Sequence, residues 1–574
     1  MQTINAIFGT LNAILWHDSV LFLLLGTGIL FTFWSGFCQF RALTHGFHVV
    51  RGVYDEPDDP GAINHFQALS AALSATVGLG NIGGVALAIA LGGPGAVFWM
   101  WIVGFFGMAI KLTEVTLSML YRNTDDPDNP HGGPMWVIAK AAANKSPRLA
   151  GLGKAIGGLF CVTALVSTAT GGNMFQAWNV GVITEEYFGI PSIMTGIVLS
   201  IIIGTVIIGG IKRIGKVAGA LVPIMLALYI VAGLYVLAIN YAEIPAMLGL
   251  IVTAAFSPTE ATGAFVGGTM GYAFLFGMKR ALFSNEAGQG TSPMAHSAAK
   301  TDEPVREGIV AGLEPFIDTI VVCTITALVI LSTGIWNRDA EAALPPTVSL
   351  EQVADDTWTI TEVAAPARTN GSWQDGDGLY VIVTAHDNEA SGNTLHRLDG
   401  IVTITNDVAR MSFTPIVTAS RPELRGPEVY ASYVGATLTA KAFDTVVPGL
   451  GKWLVTLAVW LFAISTCISW SYYGEQAAVF LGGDRAVMPY KLIFCALTIV
   501  ATMGFMKTDA QLDSLTGIGT GVMLFVNVPI MWLLGGQAML AYKDYVRRLK
   551  AGKMGAEHKP PSLDDLISGR DVES

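Results

Sequence analysis

Stretches of about 20 apolar residues recur along this chain, each long enough to cross the ~30 Å hydrocarbon core of a bilayer as a helix. Eleven reach that length, at about 19–40, 65–91, 95–121, 154–180, 190–210, 215–240, 261–283, 307–333, 451–481, 487–506 and 514–541. In hydrocarbon every backbone N–H and C=O must be satisfied within the protein, which leaves helices as the natural spans. The expected fold class is therefore an all-α polytopic membrane protein with 11 transmembrane helices. A twelfth apolar stretch, 244–256, is too short to span and lies between Pro245 and Pro258. It reads as a re-entrant or interfacial helix. Composition points the same way: 13% of the residues are charged, about half the share of a soluble domain. That excludes a soluble enzyme built on one core. A net charge of −11 argues against nucleic acid as a partner.

Residues 1–18 contain no Lys or Arg, so they do not read as a signal peptide. Ile4, Ile7, Phe8, Leu11, Ile14 and Leu15 fall at helical spacing and suggest a short helix on the membrane surface. Orientation follows from the basic residues of short loops. Arg41, Arg51, Arg122, Lys140, Lys145, Arg148, Lys154, Lys212, Arg213, Lys216, Lys279, Arg280, Lys300, Arg306, Arg485, Lys491 and the tail from Lys543 fall in one alternating set. The other set holds only Lys452 and Lys507 outside the long segment 334–450. The first set is expected to be cytoplasmic. The N-terminus is then outside and the C-terminus inside, as an odd number of spans requires. The expected location is a bacterial inner (plasma) membrane, crossed many times.

The domain reading is a membrane domain in two parts, 1–333 and 451–545, a β-rich external insertion at 334–450, and a cytoplasmic tail at 546–574. The insertion alternates or is β-branched at Thr357–Val363, Leu379–Ala385 and Ile401–Asn406. Asp375-Gly376-Asp377-Gly378 reads as plain turns, with a calcium loop as the alternative. Ser391, His396 and Asp399 lack the strained turn of a hydrolase nucleophile. The five cysteines stand singly in apolar runs, with no C-x-x-C pair.

Two spans are interrupted by glycine. One reads Ala72-Leu73-Ser74-Ala75-Thr76-Val77-Gly78-Leu79-Gly80-Asn81-Ile82-Gly83-Gly84, the other Gly263-Ala264-Phe265-Val266-Gly267-Gly268-Thr269-Met270-Gly271. With the first span set aside, each opens a group of five. Matching breaks in two halves point to an inverted-repeat transporter with a midplane site. Freed N–H groups suit a carboxylate, and freed carbonyls suit Na⁺. The alternative is close helix packing, against which stand Ser74, Thr76 and Asn81. Ser465-Thr466 in the ninth span supplies hard oxygen ligands, unless those hydroxyls bond back to their own helix. Asn173 and Gln176 share a helix face and offer uncharged amides. Lys111 and Glu114, three apart, read as a structural ion pair, with a gate as the alternative.

At these residues the chain resembles the alanine/glycine:cation symporter family. The resemblance rests on Gly92-Gly93-Pro94-Gly95-Ala96-Val97-Phe98-Trp99-Met100-Trp101, on Ser284-Asn285-Glu286-Ala287-Gly288-Gln289-Gly290 and on Ser469-Trp470-Ser471-Tyr472-Tyr473-Gly474. It implies a leucine-transporter-like fold, a five-plus-five inverted repeat with broken first helices preceded by one extra helix. It implies symport of a small neutral amino acid with Na⁺, and no cofactor. Leu79 and Gly80 would then bind the substrate carboxylate, with Asn173, Gln176, Gly267, Gly268, Thr269 and Trp470 around the substrate. Ser74, Val77, Ser465 and Thr466 would form one sodium site, with Thr76 and Asn81 in a second. Two rivals remain: a proton-coupled permease of the same fold, using Glu114 or Glu286, and a membrane sensor or enzyme acting through 334–450.

Overall fold

The computed structural model describes residues 10–568 except 13, 57, 257–269, 370, 386–393, 407, 419, 434, 505–508, 555–559 and 561. Among them, six helices are long and apolar enough to cross a membrane: Gly95–Tyr121, Ala150–Phe188, Gly210–Ile239, Pro304–Ser332, Leu450–Gly482 and Leu515–Lys550. Two bent pairs raise the number to eight: Ser19–Ser35 with Cys38–Val50, bent by 69°, and His65–Thr76 with Gly80–Gly92, bent by 52°. The other three expected spans hold shorter helices, Ser192–Ile207, Met270–Asn285 and Val487–Val500. The stretch 244–256 forms the short helix Ile244–Ala254. The protein is a multi-pass helical membrane protein carrying a strand-containing region.

Sequence motifs become backbone devices here. Gly93 closes the helix Val85–Gly92 with φ +75°, and Pro94 precedes the helix Gly95–Tyr121. A Cβ on Gly95 would stand 2.4 Å from the Ala254 carbonyl, so the glycine permits helix contact rather than a bend. Within the expected first span, 19–40, Gly36 (φ +68°) and Phe37 (φ +61°) end the helix and turn the chain into Cys38–Val50. Counting apolar residues missed this helix because it contains Arg41, His45 and His48.

The strand region forms an antiparallel sheet in the order Ala342–Ala343, Glu428–Ala431, Gly378–Thr384, Leu395–Thr405, Val408–Phe413, Val363–Ala364. Glu423–Leu424 pairs beside Gly378–Thr384, and a second sheet joins Leu350–Ala354, Thr357–Ile360 and Ile416–Val417. Leu379, Val381, Val383, Leu398, Val402 and Met411 fill its core. The Asp-Gly run is a turn: Asp375 Oδ1 accepts from Ile404 N at 2.7 Å, and Asp377 Oδ2 accepts from Gln374 N at 2.9 Å. His396 and Asp399 stand three apart on one strand, hence on opposite faces. Ser391 lies outside the described residues. The helix Ala436–Asp444 packs on the membrane helices rather than the sheet, with Thr439 Oγ1 donating to Ile82 O at 3.0 Å.

Candidate functional site

The helix His65–Thr76 begins with a capping box between Asn64 and Gln67. It stops at Val77, whose ψ of 100° leaves the helical region. A π-helical turn, Gly80–Gly84, then leads into Val85–Gly92. Asn81 braces the gap from inside: its Oδ1 accepts from Gly78 N at 2.8 Å, and its N donates to Gly78 O at 3.1 Å. Among the described residues none accepts from the N–H of Leu79 or Gly80. The break therefore presents two backbone donors at a helix N-terminus, the arrangement that favours an anion. Two further π-helical stretches, Thr170–Met174 and Phe316–Cys323, flank it. Such widened turns concentrate at functional sites.

One side of the break faces the helix Leu450–Gly482. Ser74 Oγ donates to Ser465 O at 2.7 Å, while Ser465 Oγ and Thr466 Oγ1 each lie 3.3 Å from Ser74 O. Ser465 Oγ also donates to Phe462 O at 2.9 Å. Val77 is buried at the same turn. The structure thus joins Ser74, Ser465 and Thr466 in one oxygen cluster. Thr76 stands apart from it, its hydroxyl bonding back to Ala72 O and Leu73 O at 3.3 and 3.4 Å.

The other side faces Pro304–Ser332. Asn81 Nδ2 lies 2.6 Å from Asp318 Oδ1, 3.1 Å from Ser284 Oγ, 3.2 Å from Asp318 O and 3.3 Å from Cys323 Sγ. Asp318 Oδ2 accepts from Ser284 Oγ at 2.7 Å and Thr319 Oγ1 at 2.8 Å. Two amide hydrogens cannot serve three oxygens and a sulfur, so this point is over-supplied with acceptors. Asp318 is fully buried. Sequence reasoning missed it. The available signal was the run of carboxylates Glu307, Glu314 and Asp318 inside the span 307–333, since ionisable residues in a membrane mark function.

Between these clusters lies a narrow cavity of about 30 Å³, walled by Leu79, Gly80, Gln176, Phe283, Trp470 and Thr516. That is room for about two waters, so a larger ligand must displace a wall. Trp470 is 6% exposed and lies against the backbone of Gly172, where a Cβ would come within 2.5 Å of it. Gln176 Nε2 donates to Gly171 O at 3.0 Å, and its Oε1 is buried without a partner among the described residues. Asn173 turns away from the cavity. Its Nδ2 donates to Phe494 O at 2.7 Å and its Oδ1 accepts from Thr498 Oγ1 at 2.8 Å, so its amide joins two helices. Gly267, Gly268 and Thr269 lie outside the described residues.

Glu286, Gln289, Thr516 and Thr520 also line the cavity and were not expected to bind substrate. Two of them sit in the motif 284–290, where Glu286 (φ +55°), Gly288 (φ +84°) and Gly290 (φ +79°) end the helix Met270–Asn285. Thr516 and Thr520, four apart, share a helix face. That spacing was a readable signal.

The sequence profile of the sodium:alanine symporter family matches residues 1–359 and 403–559. The chain belongs to this family. The match narrows the unmatched stretch from 334–450 to 360–402. Within it lies the sheet's central strand Gly378–Thr384. The chain is 34% identical over 540 residues to a sodium/alanine symporter, AgcS, of Methanococcus maripaludis, covering 94% of this chain and 97% of that one. It is 30% identical over 497 residues to a sodium/proton-dependent alanine carrier protein of Bacillus sp. (strain PS3), covering 86% and 90%. A Bacillus subtilis relative named "Probable sodium/glutamine symporter GlnT" is 30% identical over 555 residues, covering 96% and 93%. Membership of this family makes the chain a membrane transporter rather than an enzyme.

Proposed function

We propose that this transporter moves a small neutral amino acid, alanine or glycine, together with Na⁺ by alternating access. The observation that carries the reading is the convergence of Ser74 O, Ser465 Oγ and Thr466 Oγ1 beside the free N–H groups of Leu79 and Gly80. Neutral hard oxygens suit Na⁺, and paired N–H groups suit a carboxylate. The narrow cavity under Trp470 and Phe283 favours side chains of one or two carbons. Asp318, Asn81 and Ser284 provide a second cation position, with a negative charge. The names of the alanine-carrying relatives support alanine. The glutamine relative makes substrate size the point to test.

The same proposal includes eleven spans in a five-plus-five inverted repeat preceded by one helix. It keeps the membrane domain at 1–333 and 451–545, the external region at 334–450 and the tail at 546–574. The basic-loop asymmetry places the N-terminus outside and the C-terminus in the cytoplasm of a bacterial inner membrane.

Uptake of radiolabelled amino acids into proteoliposomes tests it. An inward Na⁺ gradient should drive alanine and glycine, and alaninamide should not compete. Leucine and phenylalanine should be rejected. Trp470→Ala should admit valine or leucine and weaken alanine by about 1–3 kcal/mol, the scale of lost methyl contacts. Leucine carried as well as alanine by the unaltered protein would refute the size reading.

A further inference from the structure

The candidate site uses few of the buried ionisable groups. Seven others than Asp318 crowd beneath it, and they form a line. Glu286 stands at the cavity and accepts from Thr291 Oγ1 at 2.5 Å. The next residue, Ser292, donates to Glu314 Oε1 at 2.6 Å, so Glu286 and Glu314 are joined through consecutive residues rather than through one unbroken hydrogen-bond chain. Glu314 Oε2 lies 3.3 Å from Lys111 Nζ, itself 3.8 Å from Glu114 Oε1. Asn527 Nδ2 donates to Glu114 Oε2 at 2.8 Å. His296 then bridges two carboxylates, its Nε2 2.7 Å from Glu314 Oε1 and its Nδ1 on Glu307 Oε2. The other Glu307 oxygen meets His65 Nδ1. His65 Nε2 lies 3.7 Å from Asp55, whose side chain is 42% exposed. From Glu286 to His65 every ionisable member is at most 3% exposed.

The charges do not balance without mobile protons. Glu114, Glu286, Glu307 and Glu314 are four carboxylates; Lys111, His65 and His296 offer at most three positive charges. Two neutral imidazoles would leave −3 and two charged ones −1. Buried uncompensated charge is costly, so the cluster must hold protons on its histidines and share at least one more. The surrounding charges do not cancel this deficit. Arg122 donates to the carbonyls of Pro60, Ser297, Ala299 and Thr301, and its charge faces Glu307 together with Asp59 and Asp302, two further acids. Arg306 donates to Tyr54 O. Glu303 pairs with Arg548, and Glu475 with Lys491. Asp59, Asp302 and the Tyr473 hydroxyl complete the ionisable surroundings.

We infer that this line is a proton relay joining the substrate cavity to the face bearing residues 51–64, so that a proton moves through the transporter during the cycle. The inference rests on the symport reading above. From Glu314 outward each transfer is balanced. His296 takes a proton from Glu314 at Nε2 and gives one to Glu307 from Nδ1, one N–H bond forming as the other breaks. His65 repeats the exchange, taking a proton from Glu307 at Nδ1 and passing one from Nε2 towards Asp55, the exposed carboxylate 3.7 Å away. An imidazole between two carboxylates is suited to that role near neutral pH.

The test is purified protein in liposomes with a pH-sensitive dye inside, an inward Na⁺ gradient, and the potential clamped by K⁺ and valinomycin. Adding alanine should change lumenal pH in the unaltered protein. His296→Gln should cut that proton flux about ten-fold or more, since glutamine cannot pass a proton through its side chain. Alanine–alanine exchange, which needs no net proton movement, should persist. His65→Gln, at the far end, should do the same and guards against misfolding of the first variant. The pH profile of uptake should flatten in both. Na⁺-driven alanine uptake with no lumenal pH change in the unaltered protein overturns the relay and leaves symport standing. Proton flux undiminished in both variants also overturns it. Alanine uptake driven by neither gradient removes the symport reading and the relay together.

Discussion

The two sides of the Gly78–Asn81 break both gather oxygens, but one is neutral and the other carries a negative charge. Towards Leu450–Gly482 the donors are neutral: the Ser74 carbonyl and the Ser465 and Thr466 hydroxyls. Towards Pro304–Ser332 a buried carboxylate, Asp318, is added to Asn81 and Ser284. A cation on the neutral side is held by dipoles alone and can leave readily. One on the Asp318 side neutralises a charge that has no solvent to fall back on. The difference teaches that the two positions should not contribute equally to coupling, and that the carboxylate side should hold its ion more tightly.

The largest effect should come from Asp318→Asn. Shape is kept and the charge is lost, which removes contacts to a charged group worth about 1.5–3 kcal/mol each. The Na⁺ concentration for half-maximal alanine uptake should rise about 100-fold, or uptake should vanish in protein that still folds. A rise smaller than that of Thr466→Val would break the comparison.

Thr466→Val should raise the same Na⁺ requirement about five- to ten-fold, because one oxygen ligand is lost from a site of several. Unchanged Na⁺ dependence would remove the neutral side from the sodium path.

Glycine substitutions sharpen the contrast within the break. A Cβ at Gly78 would stand 2.9 Å from Thr466 Oγ1, whereas one at Gly80 would meet Phe283 at an ordinary 3.5 Å. Gly78→Ala should therefore imitate Thr466→Val in Na⁺ titrations. Gly80→Ala should stay within about two-fold of the unaltered protein. Equal damage from both would mean that backbone freedom, not the hydroxyl, is what the break requires.

The smallest effect is expected far from the break. Ala343 pairs with Glu428 across neighbouring strands, so residues 344–427 can be replaced by Asn-Gly, a two-residue hairpin turn. Uptake should stay within about two-fold, since the excised residues pack into a separate core of their own rather than around the break. Extending the deletion through Asp444 should abolish uptake, because it removes the helix whose Thr439 holds Ile82 O. Loss of uptake in the shorter deletion would give the sheet a part in transport.

Much of the architecture was legible in the chain. Span positions follow from apolar length because the bilayer sets it. The first break was readable because Gly78, Gly80, Gly83 and Gly84 sit within 65–91 among polar residues. The helix Ala436–Asp444 was hidden inside a polar, strand-rich segment. Asn173 looked like Gln176 from helix spacing, yet only Gln176 reaches the cavity.

What the sequence determined by itself is local: which segments bury in lipid and where a helix must break. These depend on the chemistry of contiguous residues and on the thickness of the membrane. The tertiary structure decided what meets across the break. Ser74 finds Ser465 some 391 positions away, Asn81 finds Asp318 at 237, and His65 finds Glu307 at 242. Such partners are chosen by helix packing, which fixes rotation and depth together. A hydroxyl or a carboxylate carries no mark in the chain of the face it will occupy.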